Sequence, residues 1–115
     1  MSVGLIKAER LIEEFRKLDT EMQAQTMMAF LYISRMQDSN VTVRDVGEYL
    51  GITSASASRN IAALSKWHRH GKPGHDLVEA YENPARRIEK FIRLTPKGKR
   101  VAQTLGDLYD VGKSA

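Results

Sequence analysis

Residues 41–64, VTVRDVGEYLGITSASASRNIAAL, constrain the fold of this chain more than any other segment. Thr42 and Asp45 have the spacing of a capping box that opens a helix, and Gly51 supplies the positive φ that ends it. Thr53 can then cap a second helix. The segment therefore predicts two short helices joined by a tight turn, which is a helix-turn-helix.

The second of these helices is predicted to have one apolar face and one face of small or polar side chains. With Ala57 at the centre of the buried face, Ile61 and Leu64 fall close beside it at about 100° per residue. The outward face is left with small residues, hydroxyls and two cations, Arg59 and Lys66. A helix that only covers a core normally carries more Glu and Lys on its surface. This face therefore favours contact with DNA over the alternative of an ordinary solvated helix.

Basic residues collect just after this segment. From Arg59 to Arg100 the sequence has eleven Lys and Arg against four Asp and Glu, a net of +7. The other residues carry seven basic and ten acidic side chains, a net of −3. The overall charge of +4 therefore hides a strong polarity along the chain. Such a patch is the electrostatic footprint expected of a nucleic-acid binder.

The composition limits the classes of protein to which the chain can belong. With 115 residues, of which 42% are apolar, it can form one domain, which we expect to span residues 1–115. No apolar run approaches the roughly 18 residues of a membrane span, the N-terminus does not read as a secretory signal, and there is no cysteine for disulfides or thiolate metal sites. No phosphate loop, paired catalytic carboxylates or nucleophile motif is present. We therefore expect a cytoplasmic, nucleoid-associated protein that is not an enzyme and has no cofactor and no membrane partner.

Hydrophobic periodicity places five helices and three strands along the chain. An apolar stripe at helical spacing marks the first helix, and an almost wholly apolar pattern marks a central second helix. Alternation marks two strands with an Asn-Pro turn between them. The predicted helices cover residues 4–18, 20–37, 43–50, 54–67 and 96–109, and the predicted strands cover residues 41–43, 77–81 and 88–94. This order predicts a mostly α fold with a small β-hairpin wing (α+β), a winged helix-turn-helix.

The N-terminal helices carry more apolar side chains than one core requires. Ile6 lies outside the apolar stripe of the first helix, so we expect something besides its own core to cover that helix. The Met-rich second helix is interpreted as core packing, with an adaptable ligand or partner surface as the alternative. The last helix, opened by Thr95 and Pro96, is predicted to bury one face. That face consists of Val101, Thr104, Leu105 and Leu108.

The predicted turn of the hairpin is basic. Arg86 and Arg87 lie at its tip, and Lys90 and Arg93 follow on the returning strand. A basic tip of this kind can enter a minor groove or straddle phosphates. A solvated, charged turn is the alternative interpretation.

The stretch before the hairpin is rich in histidine and in basic residues. Its potential metal ligands are His68, His70, His75 and Asp76. Their spacing matches no metal motif, and Arg69 and Lys72 would repel a cation, so a specific metal site is not favoured. We expect instead a flexible basic loop that touches DNA phosphates, more strongly below about pH 6.5 as the histidines become charged.

Two stretches of the sequence, VTVRDVGEYLGITSASASRNIAALSKW and ARRIEKFIRLTPKGKRVAQTL, resemble the MarR family of bacterial transcriptional regulators. The first is similar to that family's helix-turn-helix and the second to its wing and last helix. The similarity covers about residues 25–108, and RLTPKGKR is its most specific part. The resemblance implies a homodimer that binds a pseudo-palindromic operator, usually as a repressor. It also implies that Arg86 or Arg87 reaches the minor groove.

Three features depart from the pattern of that family. Ala85 stands where the family usually has an acidic residue before its arginine pair, so the ion pair that orients the wing arginine is in doubt. The stretch 67–76 is longer and more basic than the usual link into the wing. The sequence ends at Ala115, where relatives usually continue in helix. We therefore expect dimerisation to depend on helices 4–18 and 96–109, and we do not favour a small-molecule effector.

These observations predict a sequence-specific regulator that binds double-stranded DNA. Arg59 suits a bidentate contact with guanine, and Asn60 could pair with adenine if it turns outward, while serines at the start of the helix suit phosphates. The residues expected to contact DNA are Thr53, Ser54, Ser56, Ser58, Arg59, Asn60, Lys66, Arg69, Lys72, Arg86, Arg87 and Lys90. The residues expected at the dimer interface are Leu5, Ile6, Ile12, Leu105, Leu108 and Tyr109. The alternatives are an architectural or replication and recombination accessory, or a module that contacts the transcription machinery.

Overall fold

The computed structural model describes residues 2–66 and 71–109, which form five α-helices and a three-stranded antiparallel sheet. The helices are α1 (Val3–Leu18), α2 (Ala24–Arg35), α3 (Val43–Leu50), α4 (Ser54–Leu64) and α5 (Pro96–Tyr109). The strands are β1 (Val41–Thr42), β2 (Val78–Asn83) and β3 (Arg86–Leu94). The predicted winged helix-turn-helix is confirmed, and residues 78–94 form its wing. No helix in the described part of the chain is long and apolar enough to cross a membrane.

Helix α2 lies at the centre of the core, as its apolar pattern predicted. Phe30 and Ile33 are fully buried, and Phe30 meets Phe15 of α1 edge to face with ring centroids 6.0 Å apart. The helix begins at Ala24 rather than at residue 20, because the Asp19 side chain accepts a hydrogen bond from the Glu21 N–H and holds a turn there (2.8 Å). Core packing is therefore the main role of this helix.

The helix-turn-helix has the caps that the sequence predicted. Thr42 Oγ1 accepts from the Asp45 N–H (3.1 Å), and the Asp45 carboxylate accepts from the Thr42 N–H (3.0 Å), which completes the capping box. Gly51 ends α3 with a φ of 69°. Thr53 Oγ1 accepts from the Ser56 N–H (3.1 Å) and caps α4. These local bonds fix the angle at which α4 leaves the turn.

Helix α4 ends at Leu64, earlier than predicted, and Trp67 lies outside the described residues. The backbone beyond the helix pairs with its last carbonyls: the His75 N–H donates to Ala63 (3.0 Å) and the Leu77 N–H donates to Leu64 (2.7 Å). A Cβ at Gly74 would collide with the Ser65 carbonyl oxygen, so only glycine permits this close approach. The C-terminus of α4 is thus anchored directly to the start of the sheet.

The sheet has the strand order β1-β3-β2, with β1 as the predicted edge strand beside β3. The wing strands extend closer to the tip than predicted, and the turn between them contains only Pro84 and Ala85. Its tightness follows from Asn83, whose side chain accepts a hydrogen bond from the Ala85 N–H (3.0 Å). An Asx turn of this kind closes the hairpin without additional loop residues.

Helix α5 closes the core from the other side. Thr95 Oγ1 accepts from the Gly98 N–H (3.0 Å) as an N-cap and donates to the Asp76 carbonyl (2.6 Å). The prediction that Thr104 is buried was wrong: its side chain is exposed, and its hydroxyl donates to the Arg100 carbonyl one turn earlier (3.1 Å). Leu105 is buried as predicted, and Gly98 is buried as well. A Cβ at that glycine would collide with the backbone carbonyl before β2.

Candidate nucleic-acid interface

The inner face of α4 is formed by the residues that periodicity placed there. Ala57, Ile61 and Leu64 are all buried in the hydrophobic core. The opposite face is exposed at Ala55 and Arg59. Since the core contacts fix the rotation of the helix about its axis, they also fix which side chains project into solvent. The projecting face is small and polar, as a helix lying in a DNA groove requires.

Asn60 is turned into the protein, so it does not meet the condition set for pairing with adenine. Its side chain is only 7% exposed. It accepts a hydrogen bond from the Thr26 hydroxyl (2.6 Å) and donates to the Gln25 side chain (3.0 Å) and to the Ser56 carbonyl (2.9 Å). Each of these bonds holds the amide against α2 or against its own helix. Asn60 is therefore an anchor for α4 rather than a group presented to a base edge.

Arg59 remains the side chain of α4 best placed to read a base. It is exposed, and its guanidinium donates to Ser56 Oγ on the same helix (2.9 Å). That bond directs the side chain toward the N-terminal end of α4, and the guanidinium has further N–H groups that can donate to another acceptor. The geometry is compatible with the predicted bidentate contact to guanine.

The other residues predicted to contact DNA near α4 lie on the surface, and they differ in whether the protein itself already engages their side chains. Thr53 is exposed; its hydroxyl oxygen accepts the capping bond, and its O–H can still donate to a phosphate. Ser54 and Ser58 are exposed. Lys66 and Lys72, which flank the connection to the sheet, are exposed as well, whereas Arg69 lies outside the described residues.

The wing carries the second group of exposed cations. Arg86, Arg87 and Lys90 are all exposed near its tip. Arg86 Nη1 lies 3.9 Å from the Glu89 carboxylate, so an acidic partner is present even though Ala85 does not supply it. This contact is long and solvated, and it adds little stability.

Arg93, near the base of the wing, belongs to the wing's own structure. Its guanidinium donates to Glu79 on the neighbouring strand (2.8 Å) and lies 4.5 Å from the centroid of the Tyr81 ring. Because the Arg93 guanidinium is already engaged in these contacts, Arg93 contributes less to the exposed basic surface than Arg86 or Arg87 does.

An open groove of about 930 Å³ separates the wing from α3 and α4. Ser58 of α4 lines one side, and Arg86, Ile88 and Lys90 of the wing line the other. Helix α3 adds charges of both signs, from Arg44 and Glu48. Side chains of α4 and of the wing therefore face a shared space, which the sequence could not show.

His75 lies toward the α1–α2 turn rather than in an open loop. Its Nε2 is 3.5 Å from the Asp19 carboxylate, its side chain is largely buried, and its carbonyl accepts from Lys97 Nζ (3.0 Å). The predicted phosphate contact of a histidine loop is thus not supported at this position. His68 and His70 lie outside the described residues, and within the described ones no three His, Asp or Glu side chains group as a metal site would require.

The predicted dimer residues fall into two groups. Leu5, Ile6, Ile12 and Tyr109 are exposed; Leu5 is 69% and Ile12 47% exposed. Leu105 is buried in the protein's own core and Leu108 is partly buried, so neither is a free contact. The N-terminal half of α1 therefore leaves an apolar surface uncovered, because only Phe15 of this helix reaches full burial.

An apolar groove of about 480 Å³ runs between α1, α2 and α5, and part of its lining was not predicted. Tyr32 and Tyr49 stack with centroids 4.2 Å apart, and the Arg35 guanidinium lies 5.4 Å from the Tyr49 centroid. In the sequence, the sign that Tyr49 belongs to this lining is its position off the apolar face of α3. Its pairing with Tyr32 depends on how α2 and α3 pack, which no local pattern reveals.

The structure is similar to solved structures of transcription regulators. A complex of Staphylococcus aureus MepR with DNA matches with a TM-score of 0.71 and 18% identity, covering 96% of this chain and 79% of that chain. MepR, a transcription regulator of the multidrug efflux pump MepA of that organism, matches in another crystal structure with a TM-score of 0.66 and 19% identity over 96% and 75% of the two chains. Heme-free PefR matches with a TM-score of 0.63 and 17% identity over 94% and 87%.

MepR and PefR are MarR-family winged-helix regulators, so these likenesses confirm the fold that the two motifs predicted. No protein-family model matches the sequence, and no curated protein matches it. The resemblance is therefore carried by the architecture rather than by extended sequence identity.

Proposed function

We propose that this protein is a sequence-specific, double-stranded DNA-binding regulator of transcription. In this proposal α4 lies in the major groove, the wing lies in or near the adjacent minor groove, and the protein acts in the cytoplasm on the nucleoid. The observation that carries the proposal is the joint placement of α4 and the wing. Arg59 projects from a helix whose rotation the core fixes, and Ser58 of that helix shares an open groove with Arg86 and Lys90 of the wing.

The charge distribution supports the same proposal. The stretch from Arg59 to Arg100, with its net charge of +7, includes Arg59 on α4 and the exposed Arg86, Arg87 and Lys90 on the wing. Each phosphate neutralised by such a cation releases counterions, so the affinity should fall steeply with salt. The DNA complex of MepR supports this use of the fold.

We further propose that the active form is a homodimer that represses transcription from a pseudo-palindromic operator. The exposed apolar side chains Leu5, Ile6 and Ile12 on α1, with Tyr109 on α5, are a surface that a second copy would cover. Two copies would present two α4 helices about one helical turn of DNA apart, as a two-fold operator requires.

One observation favours a second candidate, an architectural DNA-binding protein with little sequence preference. Because Asn60 is turned inward, α4 presents Arg59 but not the amide that would have read adenine. A protein that reads few base edges gains most of its affinity from phosphates.

Selection from a pool of random duplex DNA, with the mass of the free protein recorded beside it, tests the proposal. Enrichment of a palindrome with half-sites about one helical turn apart, together with a dimeric mass, is the expected result. Retention of all sequences without enrichment would favour the architectural candidate. Failure to retain duplex DNA at low salt would overturn both.

A further inference from the structure

The wing carries an isoleucine whose side chain is fully exposed to solvent. Ile88 is 100% exposed, whereas Ile92 on the same strand is buried in the core. Single exposed apolar residues are common on protein surfaces, but a large branched side chain usually covers part of itself against its neighbours. The position of Ile88 therefore requires a local cause.

That cause is an irregularity in the pairing of the wing strands. Glu82 pairs with Lys90, and the next residue of β2, Asn83, pairs with Arg86. Residues 87–89 of β3 therefore have no partner on β2, and Ile88 is the middle one. Bulges of this kind bend a strand and redirect a side chain away from the sheet. The backbone thus presents Ile88 outward.

The side chains around Ile88 favour a polyanionic partner over an apolar protein surface. Arg86, Arg87 and Lys90 are all exposed, and Glu89 is the acidic side chain of the bulge. An apolar surface that covered Ile88 would remove these charges from water without neutralising them, which is costly. Phosphates on either side of a groove would neutralise them while the groove floor covered the isoleucine.

Ile88 also lies on the side of the wing that α4 borders. Ile88 and Ser58 line the same open groove between the wing and α4. When α4 lies in a major groove, the bulge of the wing faces the neighbouring part of the same duplex. Proteins that bind the minor groove often insert an apolar side chain between base pairs beside basic residues.

We infer that Ile88 is an apolar wedge that enters the minor groove of DNA and partly unstacks one base step. Arg86, Arg87 and Lys90 hold the wing on the flanking phosphates. The favoured site is a pyrimidine–purine step, because such steps unstack and kink most easily. The inference rests on the proposed binding of duplex DNA, and it adds a specificity determinant outside α4.

The test uses the full chain and duplexes retained in the random selection, each carrying 2-aminopurine at one pyrimidine–purine step. Unstacking raises the fluorescence of this base, so the wild-type protein should brighten the probe when the base lies under the wing. Ile88→Ala should abolish the increase and weaken binding about tenfold or more, as expected for losing the burial of one isoleucine. Its salt dependence should stay unchanged, since no charge is removed.

Two controls separate the possible outcomes. Arg87→Ala should lower the slope of log affinity against log salt by about 1 and keep the fluorescence increase. Met28→Ala removes an exposed apolar side chain outside α4, the wing and the proposed dimer surface, and it should change neither quantity. If Ile88→Ala binds with wild-type affinity and brightness, or if it changes the solution mass, the wedge is overturned. If wild-type protein retains no duplex, the proposed function itself fails.

Discussion

Helix α4 and the wing line the same open groove, but the fold supports them in different ways. One face of α4 is sealed into the core through Ala57, Ile61 and Leu64, and a buried amide ties it to α2. The tip of the wing touches little besides itself, and Ile88 is fully exposed. The proposed interface thus combines a helix that the core holds rigidly with a wing whose tip is exposed. Changes to the buried side chains of α4 should therefore affect stability and binding together, whereas changes at the wing tip should affect binding alone.

The largest effect is expected from removing a buried side chain of α4. Leu64→Ala should lower the free energy of unfolding by about 2–5 kcal/mol, because it removes buried methyl groups and leaves a cavity. Urea denaturation followed by circular dichroism measures this loss. Arg87→Ala at the wing is the matched control and should stay within about 0.5 kcal/mol of wild type. Equal losses in the two variants would contradict the contrast between α4 and the wing.

A smaller but diagnostic loss is expected at the buried amide. Asn60→Ala should reduce the free energy of unfolding by about 1–3 kcal/mol, since it leaves the buried Thr26 hydroxyl without its acceptor. The double variant with Thr26→Ala should lose less than the sum of the two single variants, because both remove the same bond. Strict additivity in urea denaturation would show that this hydrogen bond does not anchor α4. Thr26→Ser, which keeps a hydroxyl, is the control.

The cap of α4 should contribute about 1 kcal/mol. Thr53→Ala removes the acceptor for the Ser56 N–H, while Thr53→Ser retains it. Thermal unfolding of the two variants should therefore differ, with the serine variant close to wild type. If both variants bind DNA equally once folded, Thr53 acts through the cap. A defect in DNA binding by Thr53→Ser with unchanged stability would instead show that the threonine methyl group contacts DNA.

The smallest effect on stability is expected at the tip of the wing. Arg86→Ala combined with Arg87→Ala should leave the free energy of unfolding within about 0.5 kcal/mol of wild type, because the ion pair of Arg86 is long and exposed. The same variant should lower the salt slope of DNA binding by about 2, one for each lost phosphate contact. An unchanged slope would show that the wing arginines do not meet phosphates.

The sequence predicted the parts of α4 that depend on local spacing. The buried face, the capping box at Thr42 and the left-handed Gly51 each follow from residues within one or two turns. The direction of the Asn60 side chain could not be predicted in this way. It depends on Gln25 and Thr26, which the fold brings together from another helix.

The wing shows the same limit. Alternation predicted two strands and a basic turn, but the Asx turn at Asn83 shortened the loop and the bulge at residues 87–89 turned Ile88 outward. Register between strands is decided by the whole hairpin, so the sequence around Ile88 gave no sign of its exposure. Of the residues predicted for the dimer interface, Ile6 departs from the apolar stripe of α1 and is exposed, whereas Leu105 lies on the predicted buried face of α5 and is buried in the core.

The central claim is that Arg59 of α4 reads a base pair and that Arg86 and Arg87 of the wing bind phosphates. A base-pair substitution scan of the selected site tests it most directly. The scan would be run with wild type, with Arg59→Ala, and with the wing variant Arg86→Ala/Arg87→Ala. The account predicts that Arg59→Ala loses about 1–3 kcal/mol of discrimination at one base pair in each half-site. The wing variant should weaken all sequences by a similar factor. Uniform weakening by Arg59→Ala, with loss of base preference in the wing variant alone, would contradict the account.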